Sequence, residues 1–188
     1  MAVGLYFLIR HRKRISFFES LKLSVFLVKI PRERQEKQTA EKDFKLEINK
    51  FEQLLGNLAA LKKPFCFEVA VPHIGEEIHF YIAVPRVFSE VAAKQIQGIW
   101  NGASVVPAHG DYNIFNSQGV TAGAYLMQKE TYVLPIRTYP EIGNDSFSPI
   151  AGGFSKINEI GEGAAIQIMV KPAASDYKKQ ILKSIQQL

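Results

Sequence analysis

The sequence predicts an α+β fold on three observations. Between Leu23 and Ala108, strand-like and helix-like apolar patterns follow one another in the order β-α-β-β-α-β. Prolines and glycines punctuate the boundaries, at Pro31, Pro64, Pro72, Gly75, Pro85, Gly102 and Pro107. Beyond residue 110 a second block of strand and helix patterns follows and closes on an amphipathic helix.

The first element is Leu23–Ile30, rich in β-branched and aromatic residues, which reads as a largely buried strand stopped by Pro31. Residues 32–38 are polar and charged and read as a linker or a helix entry. Thr39 is an N-cap candidate, but Lys42 stands where a capping box would place Glu or Gln, so the signal is partial. Phe44, Ile48, Phe51, Leu55 and Leu58 recur at steps of three and four, which predicts a helix with that face buried on the sheet. Pro64 ends it.

Residues 65–71 and 77–84 are two short apolar runs joined through Pro72-His73-Ile74-Gly75, the pattern of an antiparallel hairpin. Pro85 stops the second run. Residues 88–100 show Phe88, Val91, Ala92, Gln95, Ile96 and Ile99 at helical spacing, and Asn101-Gly102 closes that helix. Residues 103–108 are a short strand, and Pro107 makes it an edge strand or a strand end.

This order is that of a ferredoxin-like split βαβ unit, in which two helices cover one face of an antiparallel sheet. The other face then needs a further layer or a partner. In the second block, residues 123–128 and 132–138 read as strands, 149–160 as a helix, 164–170 as a strand and 176–188 as the terminal helix. The whole is an α+β chain with an antiparallel or mixed sheet. It divides into a basic arm, 1–20, and a domain, 21–188, with 21–110 and 111–188 as its two subdomains if it is split.

The 188 residues are 47% hydrophobic and 22% charged, which excludes a wholly disordered chain and a multi-span membrane protein. The lone cysteine, Cys66, cannot close an internal disulfide or build a Cys-based zinc site. It lies in the apolar run Phe65–Val69, which favours a buried small hydrophobe over a nucleophile.

The net charge of +5 is unevenly placed. Residues 1–40 hold nine Lys/Arg and three Glu, a net +6, and residues 41–188 hold fourteen and fifteen, a net −1. The near-neutral body is a poor phosphate-binding surface. Residues 1–9 are wholly apolar and are followed at once by Arg10-His11-Arg12-Lys13-Arg14. Nine residues are too few to span a bilayer, and a signal peptide places its charges first. Apolar first and basic second is the order at the cytoplasmic end of a membrane helix. Arg10, Arg12, Lys13 and Arg14 are therefore the membrane-surface candidates, against the alternative of a solvated basic arm beside a buried strand.

Catalytic signals are weak. No GxxxxGK[ST] or GxSxG occurs, and no histidine pair stands at metal-ligand spacing among His11, His73, His79 and His109. His79 reads as a residue of a solvated strand face. Gly152-Gly153 and Gly161-Glu162-Gly163 fit turns or helix packing better than a dinucleotide fingerprint. Ser155, the His109-Gly110-Asp111 triplet, the Glu159/Glu162 pair and Glu76-Glu77 each fit a surface or loop role better than a catalytic one. Phe80 and Tyr81 could stack bases, but their basic companions are missing, and a core role is favoured. The sequence predicts no catalytic residue, no cofactor and no metal.

Several phrases nevertheless stand in a telling order. They are Leu27-Val-Lys-Ile-Pro31, Phe67-Glu-Val69, residues 77–86 (EIHFYIAVPR), Asp111–Phe115 (DYNIF) and Leu134–Tyr139 (LPIRTY). Residues 149–172 (PIAGGFSKINEIGEGAAIQIMVKP) follow and are the most specific. Over about residues 20–180 the chain resembles the membrane-proximal N-terminal region of bacterial type IV secretion and conjugative transfer ATPases, of the coupling-protein-like, candidate-phylum type. The resemblance implies a transmembrane segment before this region, a RecA-like motor after it and a place at the cytoplasmic face of the cell membrane. No Walker A lysine stands in this chain, so none of that family's ATP-binding residues carries over.

Two functional readings follow. One is a non-catalytic assembly domain of a membrane-anchored DNA- or protein-transfer machine. It would contact channel or motor subunits, form oligomers in the full assembly and touch the membrane through its arm. The other is a stand-alone nucleic-acid-binding module that uses residues 10–14 and 32–37 on phosphates.

Overall fold

A computed structural model describes residues 22–31, 40–73, 77–109, 112–129, 134, 136–138, 141, 147–157, 161–173 and 175–186. The fold is α+β, with a five-stranded antiparallel sheet and four α-helices among the described residues. In chain order these are β1 (Leu23–Lys29), α1 (Ala40–Ala59), β2 (Phe65–Val71), β3 (His79–Pro85), α2 (Ser89–Ile99), β4 (Ser104–Pro107), α3 (Ser148–Phe154), β5 (Ala164–Val170) and α4 (Ser175–Ile185).

The strand order is β4-β1-β3-β2-β5. The connection from β1 to β2 passes over β3, and that from β3 to β4 passes over β1. Two crossovers that each skip one strand are compatible with the split βαβ arrangement. β1 is antiparallel to both neighbours, with Phe26 opposite Ile82 and Leu27 opposite Tyr81 on one side, and Val28 opposite Val105 on the other. Strand β5, from the second block, joins this same sheet beyond β2.

Alternation sorts the strand residues onto two faces. Phe26, Phe65, Ile82 and Val84 share a core with Leu54 and Leu58 of α1, Ala92 and Ile96 of α2, and Trp100 and Ala103. Leu58 is fully buried, whereas Phe51 is 41% exposed and Phe44 is exposed too. The buried face keeps Leu58 and, in part, Leu55 of the predicted stripe and adds Leu54, which the stripe did not include. Helix α1 packs against α2, and Leu54 joins the core that holds Ala92 and Ile96 of that helix. Phe51 instead lies along Phe67 of β2, with ring centroids 5.0 Å apart. Two turns before Leu54 on the same face of α1, the Trp100 indole donates to Glu47 Oε2 at 2.7 Å and Lys50 Nζ lies 2.8 Å from Oε1.

The helix ends follow their local chemistry. α1 unwinds through a turn at 60–62, where Lys62 takes a left-handed φ of 54°, two residues before Pro64. Arg86–Phe88 form a 3₁₀ turn ahead of α2, and Ser89 Oγ donates back to the Arg86 carbonyl at 2.9 Å. Gly102, at φ 78°, turns the chain into β4, where Pro107 is the last residue of an edge strand.

The second block departs from expectation. Residues 123–128 form no strand, and Tyr125, Leu126 and Met127 are largely exposed. No described strand pairs with them, and strand propensity without pairing does not hold a strand. Within 132–138 the described residues are not strand either. The predicted helix at 149–160 is the shorter α3, which ends at Phe154, where Ser155 Oγ donates to the Gly152 carbonyl at 3.0 Å.

The chain falls into two compact units. One comprises the described residues of Met1–Val69, with His79–Tyr112 and Ala165–Pro172; the other comprises Ala70–Ile78, Asn113–Ala164 and Ala173–Leu188. The second unit holds a clasp around His73. His73 N donates to the Asn113 carbonyl at 3.2 Å, and His73 Nδ1 bonds the same oxygen at 2.8 Å. Gly161 N donates to the His73 carbonyl at 2.8 Å, and Asn116 Nδ2 donates to the Gly161 carbonyl at 3.2 Å. A Cβ on Gly163 would stand 2.5 Å from the Ile114 carbonyl oxygen, so only glycine fits there. Gly161, at φ 108°, and Gly163 are thus turn and close-approach glycines.

Candidate functional site

The sheet face opposite α1 and α2 carries the densest chemistry among the described residues. On β2, Cys66, Glu68 and Ala70 point to this face; on β3, His79, Tyr81 and Ala83 do. Cys66, Glu68, Ala70, Tyr81 and Ala83 are buried. His79 is half-buried, not on a solvated face, and its Nδ1 shares a 3.1 Å hydrogen bond with the Tyr81 hydroxyl.

Tyr112 supplies cover for this face. Its ring stacks on Tyr81, with centroids 4.4 Å apart and planes 20° from parallel. Its hydroxyl donates to Glu68 Oε2 at 2.5 Å, a short charge-assisted contact. A carboxylate on a buried strand face needs such a donor, because taking it from water unpaired is costly. Burial, and then the negative charge of Glu68 beside it, push the Cys66 thiol up to about 12. The thiol stays protonated at neutral pH, and a protonated thiol is a poor nucleophile.

The sequence marked Cys66 correctly as a buried small residue. It did not mark Glu68 or Tyr112. The available signal was the lone charge within the apolar run Phe65–Val71. Phe80 and Tyr81 do not form one stacking platform, since adjacent strand residues face opposite ways. Tyr81 is 7% exposed and Phe80 is 52% exposed, so the expected core role holds for Tyr81 only.

Other candidates do not gather into a site. Glu77, His109 and Glu162 are each exposed. Arg10, Arg12, Lys13 and Arg14, with His11, Glu76, Gly110, Asp111 and Glu159, lie outside the described residues. Among the described residues no group of three or more His, Cys, Asp or Glu could hold a metal ion. No helix among them is long and apolar enough to cross a membrane.

A different kind of surface lies in the second unit. Val120, Tyr125, Leu126 and Met127 are almost wholly exposed, Leu126 at 98%, in a stretch without regular structure. A run of large apolar side chains left in water is a feature of association surfaces rather than of catalytic clefts. Comparison with protein-family models, with curated proteins and with solved structures found no match.

Proposed function

We propose that this chain is a non-catalytic assembly domain of a membrane-anchored type IV secretion or conjugative transfer machine, making contacts with channel or motor subunits. The observation that supports this reading most directly is the exposed run at Val120 and Tyr125–Met127, an apolar surface left in water. The wording of residues 149–172 supports the machine, and the apolar-then-basic order of residues 1–14 supports attachment at the cytoplasmic face. Arg10, Arg12, Lys13 and Arg14 then lie against anionic headgroups, each contributing about 1 kcal/mol at low salt.

The test is vesicle binding by the full chain. Binding to anionic vesicles is expected to weaken with salt and to be largely lost when Arg10, Arg12, Lys13 and Arg14 are all replaced by Gln. Binding unchanged by that substitution would remove the membrane foot. Much tighter binding to single-stranded DNA than to vesicles would put the nucleic-acid reading ahead. A reading frame that runs past Leu188 into GxxxxGK[ST] would support the motor context.

A further inference from the structure

The two edges of the sheet are built differently. Edge strand β4 has four residues and ends in Pro107, so it is short and lacks a donor at its end. Those are the usual devices that keep an edge from pairing with another chain. Edge strand β5 has seven residues, Ala-Ala-Ile-Gln-Ile-Met-Val, with no charge, proline or glycine. No described strand pairs with its outer side. Gln167, Ile168 and Met169 are exposed in succession, Met169 at 77%, so apolar side chains meet water on both faces of the strand.

We propose that β5 is a self-association edge, and that a second copy of this chain pairs with it antiparallel about a two-fold axis through Gln167. A two-fold axis normal to the sheet keeps each face continuous, and residues opposite one another then share a face. Centring on Gln167 is the one such register that pairs all seven residues. It sets Ala164 against Val170, Ala165 against Met169 and Ile166 against Ile168, each with the partner copy's residue. Every alanine faces a larger side chain, and the two central amides face each other.

Charge agrees with this occupant. The strand holds no charge to repel its own copy. Glu162 precedes it and Lys171 follows it, both exposed. In this register the acid of one copy comes within one position of the base of the other, at both ends. Pairing extends the five-stranded sheet to ten strands, within the range of open sheets. The inference goes beyond the transfer-machine reading and stands or falls without it.

Sedimentation of the full 188-residue chain tests it. A monomer–dimer equilibrium is expected across about 1–100 µM, the range for a modest interface. Gln167→Lys puts two like charges opposite one another on the axis and is expected to weaken dimerisation at least ~10-fold. Gln167→Glu is expected to do the same. A mixture of the two variants should regain dimers, because Lys then faces Glu. Circular dichroism and melting of each variant, at an exposed position, check that the monomer stays folded. A wild-type chain that is monomeric at 100 µM overturns the proposal. So does dimerisation unaffected by Gln167→Lys, which would place the contact elsewhere, or a mixture that fails to re-form dimers.

Discussion

Replacing Tyr112 by Phe removes one hydroxyl from the covered sheet face and leaves everything else in place. The ring that stacks on Tyr81 at 4.4 Å remains, so the aromatic contact is kept. The carboxylate of Glu68, itself 7% exposed, loses the donor that lies 2.5 Å from Oε2. A buried acceptor stripped of its partner costs about 1–3 kcal/mol, with charged acceptors toward the upper end. The expected loss is therefore about 2–3 kcal/mol, read by urea unfolding at pH 7 as a fall in midpoint with unchanged slope. Glu68→Leu with Tyr112→Phe completes the cycle. Removing both polar partners should cost less than the sum of the singles, with a coupling of at least ~1 kcal/mol. A Tyr112→Phe chain within ~0.3 kcal/mol of wild type, or strictly additive singles, would refute the idea that this bond satisfies a buried charge.

Leu58→Ala, at a fully buried position, should cost about 3–5 kcal/mol, whereas Phe51→Ala, on the same helix but 41% exposed, should cost clearly less. Equal losses in urea unfolding would contradict the placement of α1. Gly163→Ala forces a methyl to within 2.5 Å of the Ile114 carbonyl oxygen and should lower the melting temperature by several degrees, while Lys62→Gly relieves a left-handed φ and should raise stability by up to about 1 kcal/mol. With the Cys66 thiol near 12, about one thiol in ten thousand is ionised at pH 8, so a thiol reagent should label the native chain far more slowly than the urea-unfolded one. Burial pushes the Glu47 carboxyl up, but hydrogen bonds from Lys50 and Trp100 and the Lys50 charge outweigh this and hold it below its ordinary value. Its contribution is thus present above about pH 4–5 and lost as pH falls through the lower folded value. Relative to Glu47→Gln, wild type should lose a small margin, below ~1 kcal/mol for so exposed a pair, between pH 6 and pH 3.

Residues 23–108 were legible because their apolar periods are long and their boundaries carry proline or glycine. The stripe on α1 was legible at Leu55 and Leu58 but missed Leu54 and overreached at Phe44 and Phe51, because a helix that packs on a second helix as well as a sheet buries a different face from one seated on a sheet alone. Leu54 shares its core with Ala92 and Ile96 of α2. The run at 123–128 misled because apolar β-formers look alike whether a partner strand receives them or water does. Glu68 and Tyr112 stand 44 residues apart. The sequence offers a lone acid and a lone phenol, and only the path of the chain brings them together. The arm residues Arg10, Arg12, Lys13 and Arg14 rest on charge order alone, a signal about surroundings rather than about packing.

The clasp at His73 has an evolutionary reading. One residue receives the start of a long excursion through the Asn113 carbonyl and its end through the Gly161 amide. The two ends of that excursion are cinched together, so the irregular stretch 117–129 hangs from a fixed base. Doubling the length of such a loop costs only ~0.6 kcal/mol in closure entropy. Lineages could therefore lengthen, shorten or rewrite the irregular part of this stretch, the exposed Val120–Met127 run included, while its two ends stay clasped. Partner preference could drift there at little cost to folding, provided His73, Gly161 and Gly163 are kept.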